Sequence, residues 1–204
     1  MNGQDILRMI RQSAPAEFEK AVLACSVGFN LDDEIAESAI LLVTGDLEFD
    51  AKKAIQVMKG TSFTECDDAG TWRICPMTTR RLMALELHRT LPNLWLPLQQ
   101  LFADYCSRKS RALWPNQQWA SESYDYDGVR ARHLKEEECY HLLMIPERQL
   151  EAVTILRQML ETFPCPTEMA RIIRLYVEDC QEHTDQIHPL TTELLITAIS
   201  VEKR

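Results

Sequence analysis

Apolar residues near the N-terminus recur at the spacing of one helix face. In the first such segment, Phe18, Ala21, Val22 and Cys25 follow the i, i+3, i+4, i+7 pattern. A glycine follows each of these segments, as is common where helices end. After a short amphipathic stretch in residues 1–13, the pattern therefore predicts consecutive helices over residues 16–27, 31–44 and 46–59.

Residues 62–75 break the helical pattern and predict a β-hairpin. Its two short runs contain strand-favouring residues, namely Phe63, Glu65, Trp72 and Ile74. Residues 67–70, Asp-Asp-Ala-Gly, have the composition of a tight turn, which would pair Cys66 with Thr71. Pro76 suits the first position of a following helix over residues 77–91. Three helices, a hairpin and a further helix are the order of a winged helix.

The C-terminal half of the chain returns to helical spacing. Pro97 is expected at the start of a connecting helix, and residues 108–128 have an irregular, linker-like composition. Prolines border the later helical segments, which cover residues 129–145, 146–163, 166–180 and 190–201. Helices of this length with short connections pack as hairpins in an array.

These patterns predict a mainly α fold: a winged-helix domain with a two-stranded β-hairpin wing, followed by a helical-hairpin, TPR-like array. The expected domains are a winged helix with an N-terminal helical extension, a connecting helix with an irregular linker, and a helical array, over residues 1–92, 93–127 and 128–204 respectively.

Composition narrows the function classes. Hydrophobic residues make up 46% of the chain, which indicates a globular protein. No apolar run approaches the ~20 residues of a membrane span, and no signal peptide is evident, so we expect a cytoplasmic protein without a membrane partner. The net charge of −9 disfavours nucleic acid as the main partner.

Several residues invite a catalytic or metal-binding interpretation. The seven cysteines form no CxxC pair, and we expect buried free thiols. A cysteine-dependent hydrolase, which needs a thiol beside an imidazole, stays open as an alternative. Cys180, His183 and His188 have part of a zinc-site spacing but lack an obvious fourth ligand, so we expect no metal and no cofactor.

Two acidic runs occur, at residues 32–34 and 136–138. Asp32 or Asp33 is expected to cap the second helix. Both runs are expected in first helical turns or on exposed faces, where carboxylates interact with the helix dipole or with water.

Three segments carry a resemblance to a known family. They are FEKAVLACSVGFNLDD (residues 18–33), AIQVMKGTSFTECDDAGTWRICPMTTRRLMALEL (54–87) and ECYHLLMIPERQLEAVTIL (138–156). They resemble the winged helix and helical arm that follow the nucleotide-binding core of STAND-type signalling ATPases, with Cys75 where a histidine is common. The chain has no GxxxxGK[ST] loop, so the resemblance implies no ATPase activity here. It implies a setting in bacterial signalling or antiviral defence.

The sequence therefore favours a non-catalytic protein-interaction or regulatory adaptor, whose partner it does not identify. The expected docking residues are the aromatic side chains Trp114, Trp119, Tyr124 and Tyr126, although the two tryptophans could instead fill the joint between the two halves. The alternative is a winged-helix nucleic-acid-binding regulator. Its third helix offers Lys52, Lys53, Gln56 and Lys59, but the turn of its wing carries Asp67 and Asp68.

Overall fold

The computed structural model describes residues 3–46, 48–113, 126–162, 165–183 and 187–203. These residues form ten α-helices and a two-stranded antiparallel sheet, so the expected mainly α class is confirmed. The chain divides into two compact units, Met1–Leu98 and Gln99–Arg204. The expected three-part division at residues 1–92, 93–127 and 128–204 stays a prediction.

The first unit places five helices around a short hairpin. Its elements are α1 (Gly3–Ser13), α2 (Ala16–Cys25), α3 (Asp33–Thr44), α4 (Ala51–Lys59), β1 (Thr64–Cys66), β2 (Trp72–Ile74) and α5 (Met77–Thr90), and α6 (Pro92–Leu113) follows them. Asp32 caps α3, because its side chain accepts a hydrogen bond from the Ile35 amide at 3.1 Å. Gly45 ends α3 in the left-handed conformation, with φ of 64°.

Two helix starts differ from the sequence prediction. α4 begins at Ala51 and not at residue 46, because the Asp50 side chain caps it by accepting from the Lys53 amide at 2.9 Å. α6 begins at Pro92, and Pro97 lies inside the helix. Pro92 suits a first helical position as well as Pro97 does, and an internal proline removes one backbone hydrogen bond of the helix.

The hairpin has a longer connection than the sequence predicted. Cys66 lies opposite Trp72, so the expected pairing of Cys66 with Thr71 is wrong. The reason lies in the connection, where the Asp67 amide donates to the Thr71 carbonyl at 2.8 Å and the Asp67 carboxylate accepts from the Thr71 amide at 2.7 Å. Gly70 completes this loop with φ of 82°.

Leu31 extends the pairing beyond the hairpin. Its amide donates to the Trp72 carbonyl, and the Trp72 amide donates to the Leu31 carbonyl, both at 2.8 Å. β2 is therefore flanked by Leu31 on one side and by β1 on the other. The side chains of Trp72 and Ile74 are buried in the first unit, whose largest fully buried side chains also include Leu31, Ile35, Ile40, Ile55 and Met58.

The second unit is entirely helical over its described residues. After the later part of α6 it contains α7 (Tyr126–Leu143), a 3₁₀ turn (Pro146–Arg148), α8 (Gln149–Thr162), α9 (Pro166–His183) and α10 (Pro189–Glu202). The four helices predicted for this region are thus confirmed, with small shifts at their ends. Each helix packs against the next, from α7 through α10. Among the described residues, no helix combines the length and the apolar character needed to cross a bilayer.

Candidate functional site

The aromatic docking residues predicted from sequence fall largely outside the described residues. Trp114, Trp119 and Tyr124 lie in residues 114–125, which the structure does not describe. Tyr126 begins α7, but its side chain also lies outside the described part. A docking surface built from these four residues stays a prediction.

An open depression of about 440 Å³ lies beside the hairpin of the first unit. One part of its wall is apolar and comes from Phe29, Ile74, Pro76 and Met77. Met77, the first residue of α5, is 54% exposed and so offers apolar surface to solvent at the edge of the depression. Its polar lining comes from Ser62, Glu65, Arg73, Cys75 and Arg80.

Arg80 forms a rigid part of this depression. Its side chain is only 3% exposed, and its Nη1 donates to the carbonyl oxygens of Ser26 and Val27, both at 3.1 Å. These carbonyls lie just past the C-terminal end of α2, where helix carbonyls lack partners within the helix. The guanidinium also lies over the Phe29 ring, with its central carbon 4.0 Å from the ring centroid.

A cross-strand ion pair occupies the solvent face of the hairpin. Arg73 donates from Nη2 to Glu65 Oε2 at 2.9 Å and from Nε to the same oxygen at 3.2 Å. Both side chains are more than half exposed. Hydrogen bonds from Arg73 and, to a lesser extent, from Cys75 lower the pKa of Glu65.

The Cys75 thiol lies beside this ion pair, in surroundings that disfavour its thiolate form. Burial, followed by its hydrogen bond with Glu65, raises the pKa of the Cys75 thiol above its ordinary value. Nucleophilic cysteines need a lowered pKa, because the thiolate is the reactive form.

Burial also raises the pKa of the thiols of three cysteines in the helical core. The pKa of Cys180 rises to about 12, and those of Cys25 and Cys139 rise as well. The cysteines are free, and the expected burial holds for Cys25, Cys106, Cys139 and Cys180, whereas Cys66 and Cys165 are exposed. The hydrolase alternative therefore gains no support from these thiols and stays a hypothesis.

α4 brings three of its four predicted nucleic-acid residues to one exposed face. Lys52, Lys53 and Gln56 are exposed, whereas Lys59 is half-buried and pairs with Asp33 at 2.6 Å. At the end of the hairpin, Asp67 and Asp68 are both exposed. The cationic face of α4 is thus small, and the end of the hairpin carries negative charge, which phosphates repel.

The acidic run at residues 136–138 is buried, so its expected position in a first turn or on an exposed face is wrong. Glu136, Glu137 and Glu138 are at most 8% exposed, because α7 is enclosed on all sides from Lys135 to its end. Lys135 Nζ balances the charge of Glu138, because it donates hydrogen bonds to the two carboxylate oxygens at 2.9 and 2.8 Å. The run at residues 32–34 does lie at the start of α3, as expected.

Burial raises the pKa of the Glu136 carboxyl to about 7. Arg132, whose Nε lies 3.6 Å from Oε1, opposes this shift, and the charge of Glu168 adds to it. The carboxyl is therefore a buried acid that titrates near neutral pH.

The residues considered for zinc make other contacts. Cys180 Sγ donates to the Leu143 carbonyl at 3.0 Å, and His188 Nδ1 accepts from the Leu190 amide at 3.2 Å, where it caps α10. Within the described residues, no group of three or more His, Cys, Asp or Glu side chains could hold a metal ion.

A buried polar network links helices of the second unit. The Tyr140 hydroxyl donates to Asp179 Oδ2 at 2.6 Å, which joins α7 to α9. His141 Nδ1 lies 2.7 Å from Gln99 Oε1, and its ring stacks on Phe102. Such contacts fix the mutual position of helices, because a misplaced helix would leave buried polar groups unsatisfied.

Sequence reasoning missed the residues that build the depression, namely Phe29, Pro76, Met77 and Arg80. Pro76 was interpreted only as a helix start, and Arg80 looks like one of several cations on α5. One signal was present: an arginine one turn after a helix-starting proline lies at the same end of the helix as the hairpin.

Comparisons of the chain with protein-family models, with curated proteins and with solved structures gave no match. The resemblance to STAND-type ATPases is therefore carried by the three sequence segments alone.

Proposed function

We propose that this chain is a non-catalytic adaptor that binds a protein partner at the depression beside its hairpin. The observation that carries the proposal is the composition of this depression. An exposed Met77 and the apolar Phe29 and Pro76 lie beside the charged Glu65 and Arg73. Docking sites on proteins combine apolar anchors with a polar rim in this way.

The first unit is proposed to be a winged helix. In support, α2, the Leu31 bridge, α3, α4 and the hairpin follow one another in that order, and β2 is flanked by Leu31 and β1. Consecutive packing of α7 to α10 supports a TPR-like helical-hairpin array in the second unit. Both assignments agree with the STAND-like segments, which suggest a cytoplasmic signalling or antiviral defence assembly as the setting.

The experiment is a quantitative pull-down of the partner with Met77→Asp and a matched control. Leu82→Asp is the control, because Leu82 lies on the same helix, is 39% exposed and does not line the depression. We expect Met77→Asp to lose the partner while Leu82→Asp keeps it, with both melting temperatures near that of the parent. Loss of the partner from a Trp114→Ala, Tyr126→Ala variant, with retention by Met77→Asp, would move the docking site to those aromatic residues.

A second candidate function is nucleic-acid binding through α4. The common exposed face of Lys52, Lys53 and Gln56 favours it, since a winged helix presents this helix to the major groove. Asp67 and Asp68 on the wing oppose it. We therefore rank it below the adaptor.

A further inference from the structure

β1 is the outer strand of the sheet. Leu31 occupies the far side of β2, and among the described residues β1 has no strand neighbour besides β2. The hydrogen bonds of the hairpin join Cys75 N to Phe63 O at 2.9 Å and Asp67 N to Thr71 O at 2.8 Å. Hydrogen-bonded residues alternate along an antiparallel strand, so residues 63, 65 and 67 face β2.

Thr64 and Cys66 consequently direct their backbone groups to the outer edge. The Thr64 amide turns back to the Thr61 carbonyl at 3.3 Å. The Thr64 carbonyl and the Cys66 amide and carbonyl point away from β2. An added strand would form its hydrogen bonds with these groups. Proteins protect sheet edges with short strands, charged side chains, proline or bulges; β1, Thr-Glu-Cys, is short and carries the charged Glu65, but it has no lysine, proline or bulge.

The charge around this edge defines the complementary ligand. Glu65 and Arg73 neutralise each other across the strands. Asp67 and Asp68 follow directly at the exposed end of β1, and the basic residue nearest to them in the hairpin is the paired Arg73. A ligand lying along β1 therefore meets negative charge at one end and, towards Ser62 and Met77, the apolar depression at the other.

We propose that the partner contributes an extended segment that adds to the outer edge of β1 as a further strand. It would place a basic side chain at Asp67 and Asp68 and an apolar side chain in the depression. This inference rests on the proposed function and specifies the chemistry of its partner. Backbone hydrogen bonds supply affinity in such an arrangement, and the two side chains supply specificity.

The probe is a random peptide library, displayed on phage and selected on the purified full chain. We expect the selected peptides to share a lysine or arginine and, a few residues away, a large apolar residue. The binding constant of one synthetic peptide is then measured for the parent, Asp68→Lys, Met77→Asp, Cys66→Pro and Leu82→Asp. We expect Asp68→Lys to weaken binding about two- to fivefold and Cys66→Pro, which removes an edge amide, about three- to tenfold.

Hydrogen exchange tests the edge without any substitution, so the inference stays testable if Cys66→Pro fails to fold. We expect saturating peptide to slow exchange of the Cys66 amide. Peptides that bind and depend on Met77, but leave Cys66 exchange unchanged, would overturn strand addition and retain the docking site. Peptides that bind equally to Met77→Asp, or a library that yields no binder, would overturn both.

Discussion

The guanidinium of Arg80 lies over the ring of Phe29, with its central carbon 4.0 Å from the ring centroid. The same side chain holds the Ser26 and Val27 carbonyls past the end of α2. One residue of α5 thus fixes both the wall of the depression and the end of a neighbouring helix.

Replacement of this arginine is therefore expected to destabilise the first unit. Arg80→Met removes two hydrogen bonds to buried carbonyls and the cation–π contact, which together are worth about 2–4 kcal/mol of unfolding free energy. Urea unfolding followed by tryptophan fluorescence measures the change. Arg89→Met is the control on the same helix, because the Arg89 side chain is 72% exposed, and its unfolding midpoint should stay near that of the parent. Equal midpoints for the two variants would contradict the assigned role of Arg80.

The Tyr140–Asp179 hydrogen bond is expected to stabilise the second unit. Tyr140→Phe removes a buried donor 2.6 Å from a carboxylate, at an expected cost of about 1.5–3 kcal/mol. A double-mutant cycle with Asp179→Asn, measured by chemical denaturation, isolates the coupling of the pair. Strictly additive effects of the two substitutions would show that the hydrogen bond does not couple α7 to α9.

Glu136 is expected to make the stability of the second unit depend on pH. Burial raises the pKa of its carboxyl from 4.5 to about 7, so the folded state binds more protons than the unfolded state between these values. Stability must then fall as pH rises through this window, and the penalty is absent below pH 4.5 and complete above pH 7.

Glu136→Gln removes this titration. Between acid and neutral pH, the parent should lose about 2–3 kcal/mol of unfolding free energy that Glu136→Gln retains. Unfolding curves recorded across this pH window measure the difference. Glu161→Gln, at an exposed position on α8, is the control and should follow the parent. Parallel stability–pH curves for the parent and Glu136→Gln would contradict a raised pKa at this carboxyl.

We expect this chain not to bind duplex DNA, so that the mobility of the DNA in a gel-shift assay stays unchanged. The exposed face of α4 has two exposed lysines near its start, Lys59 pairs with Asp33, and the net charge is −9. A gel-shift series at increasing salt compares the parent with Lys52→Glu plus Lys53→Glu. The control, Arg8→Glu plus Lys203→Glu, reverses the same number of charges elsewhere. A shift by the parent that only the α4 variant abolishes would favour the nucleic-acid alternative.

Local signals in the sequence were sufficient for much of the fold. Helix spacing, a cap at Asp32 or Asp33 and Gly45 as a stop depend on neighbours within a few residues; the structure has Asp32 as the cap and Gly45 as the stop. The connection of the hairpin was misjudged because its length depends on the Asp67 side chain, which bonds the Thr71 amide and widens the turn. The start of α6 was misjudged because two prolines offered equivalent first positions.

Most of the candidate site lay beyond sequence reasoning for a different reason. Phe29 and Arg80 meet only when the end of α2 packs beside α5, and neither residue type signals that contact. The run Glu136–Glu138 was taken for a solvated surface because charged residues are rarely buried without partners. Its partner Lys135 lies on the same helix, but enclosure of that helix is a tertiary property.

The pairing of Leu31 with Trp72 also bears on how the chain is made. During synthesis, Leu31 and α3 are translated before β2, so Leu31 has no strand to join until Trp72 has been added. A chain that ends between these two residues would lack the strand partner of Leu31, whose side chain is fully buried in the finished protein. Completion of the hairpin is thus the step at which Leu31 acquires its strand partner.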